Sequence, residues 1–304
     1  MRVVIAGMGN QGMKRKFCLN KNEFVSFVDP QKKEARFKKI EDIPLCEYDT
    51  VFICTEEKSK LKLINFCVKN KKNFLIEKPF PILSSKKMKV MINKIIKNKI
   101  IAYVAYNLRF EKNIIKLKKY LKNLKNIYSI ELEYSNGTAA NIKEKKWRDK
   151  GLGVISDLAC HLVDLLIFLF SHKTILTKSI CIYNSFENSS IDHSLILLKK
   201  KKKFITIKNS YCSWKNNFNI NIISKYFNFK LFSLAKWGNV KLYQYKRKFP
   251  SGMPVFKDLS VPQKGKNVFK KEIIFYKKLL KEKNYYYIKK EFYINSFFNN
   301  LVFR

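Results

Sequence analysis

The chain opens on a short apolar run, Val3-Val4-Ile5-Ala6, that gives way to Gly7-Met8-Gly9-Asn10-Gln11-Gly12. A brief apolar run closed by a turn signal reads as a buried strand. Similar runs follow at 24–28, 50–54, 73–76 and 101–105, with helical patterns between them at about 11–20, 57–70 and 84–98. Strand and helix in alternation predict a parallel sheet with helices on both faces. After residue 105 the rhythm changes. A helix at about 111–124 leads to a strand at 127–134 and a long apolar helix at about 153–170. Strand-like segments then crowd together at 174–183, 193–199, 203–212, 217–224, 227–232 and 238–246, and two amphipathic helices close the chain at about 266–282 and 287–302. Runs of strands predict a mostly antiparallel sheet in an α+β domain.

The glycine turn adds chemistry to this pattern. Gly7 permits the tight turn, Gly9 lets the backbone approach a pyrophosphate, and Gly12 lets the next helix pack close to the strand. Asn10 and Gln11 open that helix, whose free N–H groups favour negative charge. The second strand, Phe24 to Val28, ends in Asp29, an acid placed to meet a ribose hydroxyl. The strand Thr50 to Cys54 delivers Thr55 at a carboxyl end, where ligands bind in such sheets. The expected fold class is α/β: an N-terminal Rossmann dinucleotide-binding domain over 1–118, and over 119–304 an α+β substrate-binding domain with a large, mostly antiparallel open sheet. Asp29 favours NAD because its charge repels a 2′-phosphate. Lys32 and Lys33 follow closely and could bind that phosphate, so NADP is the alternative.

Two further segments suit catalysis. Ile76-Glu77-Lys78-Pro79 ends a strand at the edge where a nicotinamide would lie. A lysine held there can donate a hydrogen bond to a substrate oxygen and stabilise developing negative charge. The second runs from Gly151-Leu152-Gly153 to Asp157, His161 and Asp164. On an α-helix Asp157 and His161 stack one above the other, and Asp164 shares their face. A histidine with carboxylates at these offsets can act as a base, though a satisfied core histidine has the same pattern. No metal is expected: there are three histidines (161, 172 and 193), and the seven cysteines show no metal-ligand spacing. Most of those cysteines sit in apolar runs and read as small buried hydrophobes in a reducing compartment.

Charge complicates this picture without overturning it. The formal net charge is +40, but only seven of the 63 basic residues are Arg. Nucleic-acid readers rely on Arg for bidentate contacts, so no specific nucleic-acid partner is expected. The run Lys199 to Lys203 reads as a solvated hairpin turn. A non-catalytic, nucleotide-binding or polyanion-associated protein is the alternative reading. No segment reads as a membrane span, and a fold that begins at residue 2 leaves no room for a signal peptide, so a cytoplasmic location is expected.

Together the motifs resemble the glucose–fructose oxidoreductase and inositol dehydrogenase (Gfo/Idh/MocA) family over nearly the whole chain. They are Gly7-x-Gly9-x-x-Gly12, Glu77-Lys78-Pro79, Asn107-Leu108-Arg109-Phe110, and Gly151-x-Gly153 followed by Asp157-x-x-x-His161-x-x-Asp164. Four smaller pieces resemble a branch linked to surface-sugar pathways: Asn136 to Ala139, Trp147-Arg148-Asp149, Lys236-Trp237-Gly238 and Pro250 to Pro254. The resemblance implies hydride transfer between a nicotinamide and a carbon of a sugar, nucleotide sugar or cyclitol. Lys78 would contact the reacting oxygen, and His161 would be the general acid/base with Asp157 binding substrate or orienting it. Glu77, Lys78 and Asn107 would lie on the cofactor side, and Arg109, Trp147 and Arg148 with Asp157 and His161 on the substrate side. The open sheet would serve homo-oligomerisation. Where family members usually carry a further glycine this chain has Leu152, so the helix entry is expected to differ.

Overall fold

The structure, a computed structural model, describes residues 1–263 and 267–302. The domain bound at 304 and the predicted helix start at 266 lie outside the described residues. Two compact units emerge: one comprises Met1–Asn107 and resumes at Asn267, and the other is the segment between.

The first unit is built on a parallel sheet of β1 (Val3–Ala6), β2 (Phe24–Val28), β3 (Thr50–Ile53), β4 (Asn73–Glu77) and β5 (Ala102–Ala105), in the order β2-β1-β3-β4-β5. Helices α1 (Asn10–Lys16), α2 (Glu57–Lys69) and α3 (Ser85–Lys97) connect the strands. Strands β1, β3 and β5 are buried throughout, as expected of parallel strands covered on both faces. The sheet's register aligns Ala6 with Val28 and Ile53, Ile53 with Ile76, and Glu77 with Ala105, so the carboxyl ends share one edge.

The chain returns to this unit at its far end. In α7 (Asn267–Glu282), Ile273, Tyr276 and Leu279 pack on Val3, Ile5, Phe52, Leu75 and Tyr103. Helix α8 (Tyr286–Val302) packs on α3 and β5. Its Asn295 donates to the Pro81 carbonyl at 2.8 Å, and Glu291 accepts from the Tyr106 hydroxyl at 3.0 Å. The expected division into 1–118 and 119–304 is therefore not the one observed. Sequence order separates α7 and α8 from the Rossmann strands, whereas the apolar faces of the strands need those helices as cover.

The second unit contains α4 (Lys112–Leu121), β6 (Ile127–Gly137), α5 (Ala139–Lys143), α6 (Cys160–Leu169) and strands β7 (Ser179–Asn184), β8 (His193–Lys200), β9 (Lys203–Ser210), β10 (Cys212–Ser224), β11 (Phe227–Phe232), β12 (Lys241–Lys246) and β13 (Val255–Asp258). The strands form one sheet in the order β13-β12-β11-β10-β6-β9-β8-β7, antiparallel at each pairing except β6 with β9. Alternation sets its faces. Along β6, Ile130, Leu132 and Tyr134 are buried, while Glu131 and Glu133 point the other way. Lys200 pairs with Lys203 across the expected hairpin turn.

Three element predictions need correction. Within 174–183 the strand starts only at Ser179, because His172–Ile175 closes a 3-10 turn directly after α6. The strand β13 was not anticipated: its four residues are all exposed, so no alternation marks it. The helix predicted at 153–170 begins instead with a π turn at Ile155–Ala159, since Gly153 has φ +45° and cannot belong to a right-handed helix.

Gly12 shows how tightly α1 sits on β1. A Cβ there would lie 2.1 Å from the Gly7 carbonyl oxygen. Gly12→Ala is therefore expected to destabilise the protein by about 1–3 kcal/mol, seen as a lower Tm in thermal denaturation.

Candidate active site

Each unit carries one half of the predicted chemistry. In the first, the glycine turn joins the end of β1 to α1. Gly7 adopts φ +89°, and a Cβ on it would meet the Cys54 carbonyl oxygen at 2.8 Å. Gly9 differs: a Cβ there would meet nothing within 4 Å. Gly7 and Gly12 are thus glycines because protein packs against them, and Gly9 opens onto free space. That open cradle beside the start of α1 fits a pyrophosphate.

Asp29 lies beside the turn. Its Oδ2 accepts the Met8 N–H at 2.8 Å and its Oδ1 accepts the Gln31 N–H at 3.0 Å. A carboxylate has about four acceptor sites, so capacity for ribose hydroxyls is left. Thr55, next to Gly7 across the sheet edge, has a buried hydroxyl with no hydrogen-bond partner among the described residues. An orphaned buried hydroxyl at this edge suits a polar ligand.

Lys78 follows β4 on the same edge. The Glu77 carboxylate beside it accepts from Arg15 Nε at 2.6 Å. Arg15 is fully buried and also lies 2.7 Å from Glu272 of α7. Burial opposes the guanidinium charge, but Glu77 and Glu272 outweigh it and raise the Arg15 pKa above its ordinary value. Glu77 was expected on the cofactor side, and its carboxylate is instead committed to Arg15. Burial pushes the thiols of Cys54 and Cys67 up, in keeping with inert core cysteines, whereas Cys46 is exposed.

In the second unit the π turn sets the geometry of Asp157 and His161. Its wider winding means that residues four apart no longer stack as they would on an α-helix. The Asp157 Oδ2 accepts from the Tyr211 hydroxyl at 3.0 Å and from Arg148 Nη2 at 3.3 Å. Burial, then the charge of Asp157 and the hydrogen bond to it, raise the Tyr211 pKa, so the phenol remains a donor. His161 is buried, with its ring 5.9 Å from that of Tyr134. Tyr134 in turn accepts from Lys236 Nζ at 2.8 Å.

One expected substrate-side residue is committed elsewhere in the structure. Arg109 is buried and bonds Asp164 in a bidentate pair, with Nε to Oδ2 at 2.7 Å and Nη2 to Oδ1. Asp164 therefore serves Arg109, although spacing alone put it on the His161 face. Trp147 is 56% exposed. Asn107 opens a 3-10 turn, Asn107–Phe110, directly after β5. Tyr211, Tyr134 and Lys236 drew no role from the sequence. Tyr211 sits between two strands with no local pattern to mark it, and Lys236 is one lysine in a chain crowded with them.

The start of the π turn is held from outside. A Cβ on Gly153 would fall 2.0 Å from the Ile191 carbonyl oxygen, which also accepts the Val154 N–H at 2.7 Å. Ile191 closes a loop organised by carboxylates. Asp192 accepts the N–H groups of Phe186, Glu187 and Asn188. Asp149 accepts those of Ser189 and Ser190, at 3.0 and 2.8 Å.

Residues 118–213, in this unit, match the model of an oxidoreductase family, C-terminal alpha/beta domain (GFO_IDH_MocA_C). This segment is similar to the C-terminal domain of the Gfo/Idh/MocA oxidoreductases. Over 224 residues it is 27% identical to glucose-6-phosphate 3-dehydrogenase of Bacillus subtilis (strain 168), covering 66% of this chain and 61% of that one. The match thus spans less than two thirds of the curated relative's length. Among solved structures, levoglucosan dehydrogenase in complex with NADH superposes with TM-score 0.83 at 12% identity, covering 100% of this chain and 96% of that one. UDP-N-acetylglucosamine 3-dehydrogenase from Acidithiobacillus ferrooxidans gives TM-score 0.80 at 15% identity, covering 100% and 96%. At these identities the structural likeness establishes the fold: a Rossmann-like parallel sheet and a large, mostly antiparallel sheet. No helix among the described residues is long and apolar enough to cross a membrane.

Asp149 yields a pH prediction. Burial opposes its charge, but hydrogen bonds from Ser190 and Ser189 outweigh burial and lower its pKa below the ordinary carboxylate value. A lowered folded pKa stabilises above the unfolded value, near 3.9, and that stability is lost as pH falls through the folded pKa. Amide exchange at Ser189 and Ser190, corrected for its intrinsic pH dependence, is expected to show protection that declines below about pH 4. Asp149→Asn should lose that pH dependence.

Proposed function

We propose that this protein is an NAD-dependent dehydrogenase that interconverts a secondary alcohol and a ketone on a sugar-like substrate. The observation that carries the reading is the glycine cradle, with open space at Gly9 and with Asp29, Thr55 and Lys78 at the same carboxyl edge. The relatives support the reaction class: one is named for glucose 6-phosphate, and two solved relatives for levoglucosan and UDP-N-acetylglucosamine.

Gly7, Gly9, Asn10, Gln11 and Gly12 would hold the pyrophosphate, and Asp29 the adenosine ribose. Thr55 and Asn107 would offer polar contacts further along the edge. When bound, the nicotinamide would supply the hydride chemistry for interconverting alcohol and ketone. The residues handle the proton and the charge. Lys78 donates a hydrogen bond to the reacting oxygen and stabilises the negative charge that develops there. His161 takes the hydroxyl proton in the oxidation direction and gives it back in reduction. Arg148 and Tyr211 fix the Asp157 carboxylate, which binds a substrate hydroxyl or orients His161. A cytoplasmic location and the absence of a specific nucleic-acid partner complete the reading.

Fluorescence titration tests the cofactor half. NADH is expected to bind about ten- to a hundredfold more tightly than NADPH, the worth of a hydrogen bond to a charged group. Gly9→Val should abolish binding without unfolding the protein, since a Cβ there meets no protein atom. Absence of binding by either cofactor would favour the polyanion-associated alternative. Glucose 6-phosphate, UDP-N-acetylglucosamine and levoglucosan form the first substrate screen, read as NADH formation. On a turned-over substrate, Lys78→Ala and His161→Ala are each expected to lower kcat by about 10²–10⁴-fold. Full turnover in both variants would overturn the mechanism.

We further propose that the sheet of the second unit pairs with a second copy of the chain. Ile180 and Ile182 of β7, Leu197 of β8 and Phe204 of β9 are 64%, 59%, 37% and 59% exposed, and the register places them on one face. Exposed apolar surface of this kind marks interfaces. Sedimentation is expected to show an oligomer, and Ile182→Asp should shift it toward monomer with the fold intact. A monomeric wild-type protein would refute this assignment.

A further inference from the structure

Lys60, on α2, is buried, with 2% of its surface exposed. A lysine in that position has to direct its ammonium at acceptors. Its Nζ donates to two backbone carbonyls, that of Glu77 at 2.6 Å and that of Pro79 at 2.8 Å. These carbonyls flank a single residue, Lys78. One cation therefore grips the main chain on both sides of the lysine assigned to the substrate oxygen.

The Glu77 side chain is gripped from a different direction. Arg15 Nε donates to its Oε1 at 2.6 Å. Arg15 lies on α1, the helix that opens at the glycine turn, and is fully buried. The segment around Lys78 is thus tied to α2 by Lys60 through its main chain and to α1 by Arg15 through the Glu77 side chain. The second tie links the place where a pyrophosphate would rest to the place where Lys78 leaves the sheet.

We propose that Lys60 and Arg15 are positioning residues for Lys78: together they fix its backbone relative to the cofactor cradle. This rests on the dehydrogenase reading given above. Neither residue touches substrate in this assignment. Their effect passes through the orientation of Lys78, where a displacement of about 1 Å can cost about a hundredfold in rate.

The test uses the full-length protein with NADH as probe and reads Lys78 directly. Trace labelling with acetic anhydride, followed by mass spectrometry of the peptide carrying Lys78, gives the rate of acetylation with and without saturating NADH. In the wild type, NADH is expected to slow Lys78 labelling at least fivefold. In Lys60→Met, NADH affinity should stay within threefold of wild type while the protection of Lys78 falls below twofold. Lys60→Arg, which keeps a cation with several N–H donors, should restore protection. Glu77→Gln, which removes one of the two charge partners of Arg15 and leaves both carbonyls in place, should weaken protection in the same direction. A folded Lys60→Met protein that binds NADH and still protects Lys78 as the wild type does would overturn the positioning role alone. If Lys60→Met fails to fold, Glu77→Gln decides by the same criterion. Wild-type protein in which NADH leaves Lys78 labelling unchanged, or does not bind, would overturn the dehydrogenase reading and this proposal with it.

Discussion

The first unit is organised by one buried guanidinium. Arg15 has no exposed surface, and a charge removed from water costs several kcal/mol unless it is well paired. Glu77 reaches it from the end of a strand and Glu272 from a helix near the other end of the chain. The Tyr103 hydroxyl also donates to Glu272 at 3.2 Å. Three elements distant in sequence must therefore converge before the charge is satisfied. The ion group imposes specificity that apolar packing lacks, because leaving one partner out strands a buried charge. Lys60 adds a second buried cation within bonding distance of the Glu77 carbonyl, so two cations and two carboxylates share this part of the interior.

The second unit uses carboxylates in a different way. Asp149 and Asp192 gather backbone N–H groups from a short loop into one hydrogen-bonded block. That block presents the Ile191 carbonyl to Val154 and leaves no room for a side chain on Gly153. The π turn follows at once, and with it Asp157 and then His161. A π turn inside a helix is seldom the lowest-energy path of a chain and is common at functional sites. The residues that hold its entry thus matter as much to the site as the residues it displays.

Much of the fold was legible in the sequence because its signals are local. Apolar runs, alternation and three glycines at fixed spacing marked the parallel sheet, the cradle and the antiparallel sheet. The packed positions at Gly7 and Gly12 match the turn and close packing read from spacing, and Gly9 stands in open space. What escaped depends on partners remote in sequence. Arg109 and Asp164 are 55 positions apart, so neither could reveal that the other claims it. Glu77 was read as part of a cofactor contact because the Glu77-Lys78-Pro79 motif ends a strand at the sheet edge, while Arg15 lies 62 positions away. The π turn was hidden because an apolar helix pattern does not record its winding, and Lys60 was hidden by sheer abundance of lysine. Arg15 had one available signal: it is among only seven arginines, and it falls three residues after the last glycine of the turn.

The return of α7 to the first sheet has a consequence for the order of assembly. The ribosome makes β1 to β5 early, yet the apolar face formed by Val3, Ile5, Phe52, Leu75 and Tyr103 waits for Ile273, Tyr276 and Leu279. The second unit, by contrast, is one uninterrupted segment and is synthesised in full before α7 appears. During translation the first unit is thus begun before the second and completed after it, and its open sheet face waits for cover while the second unit is still being made.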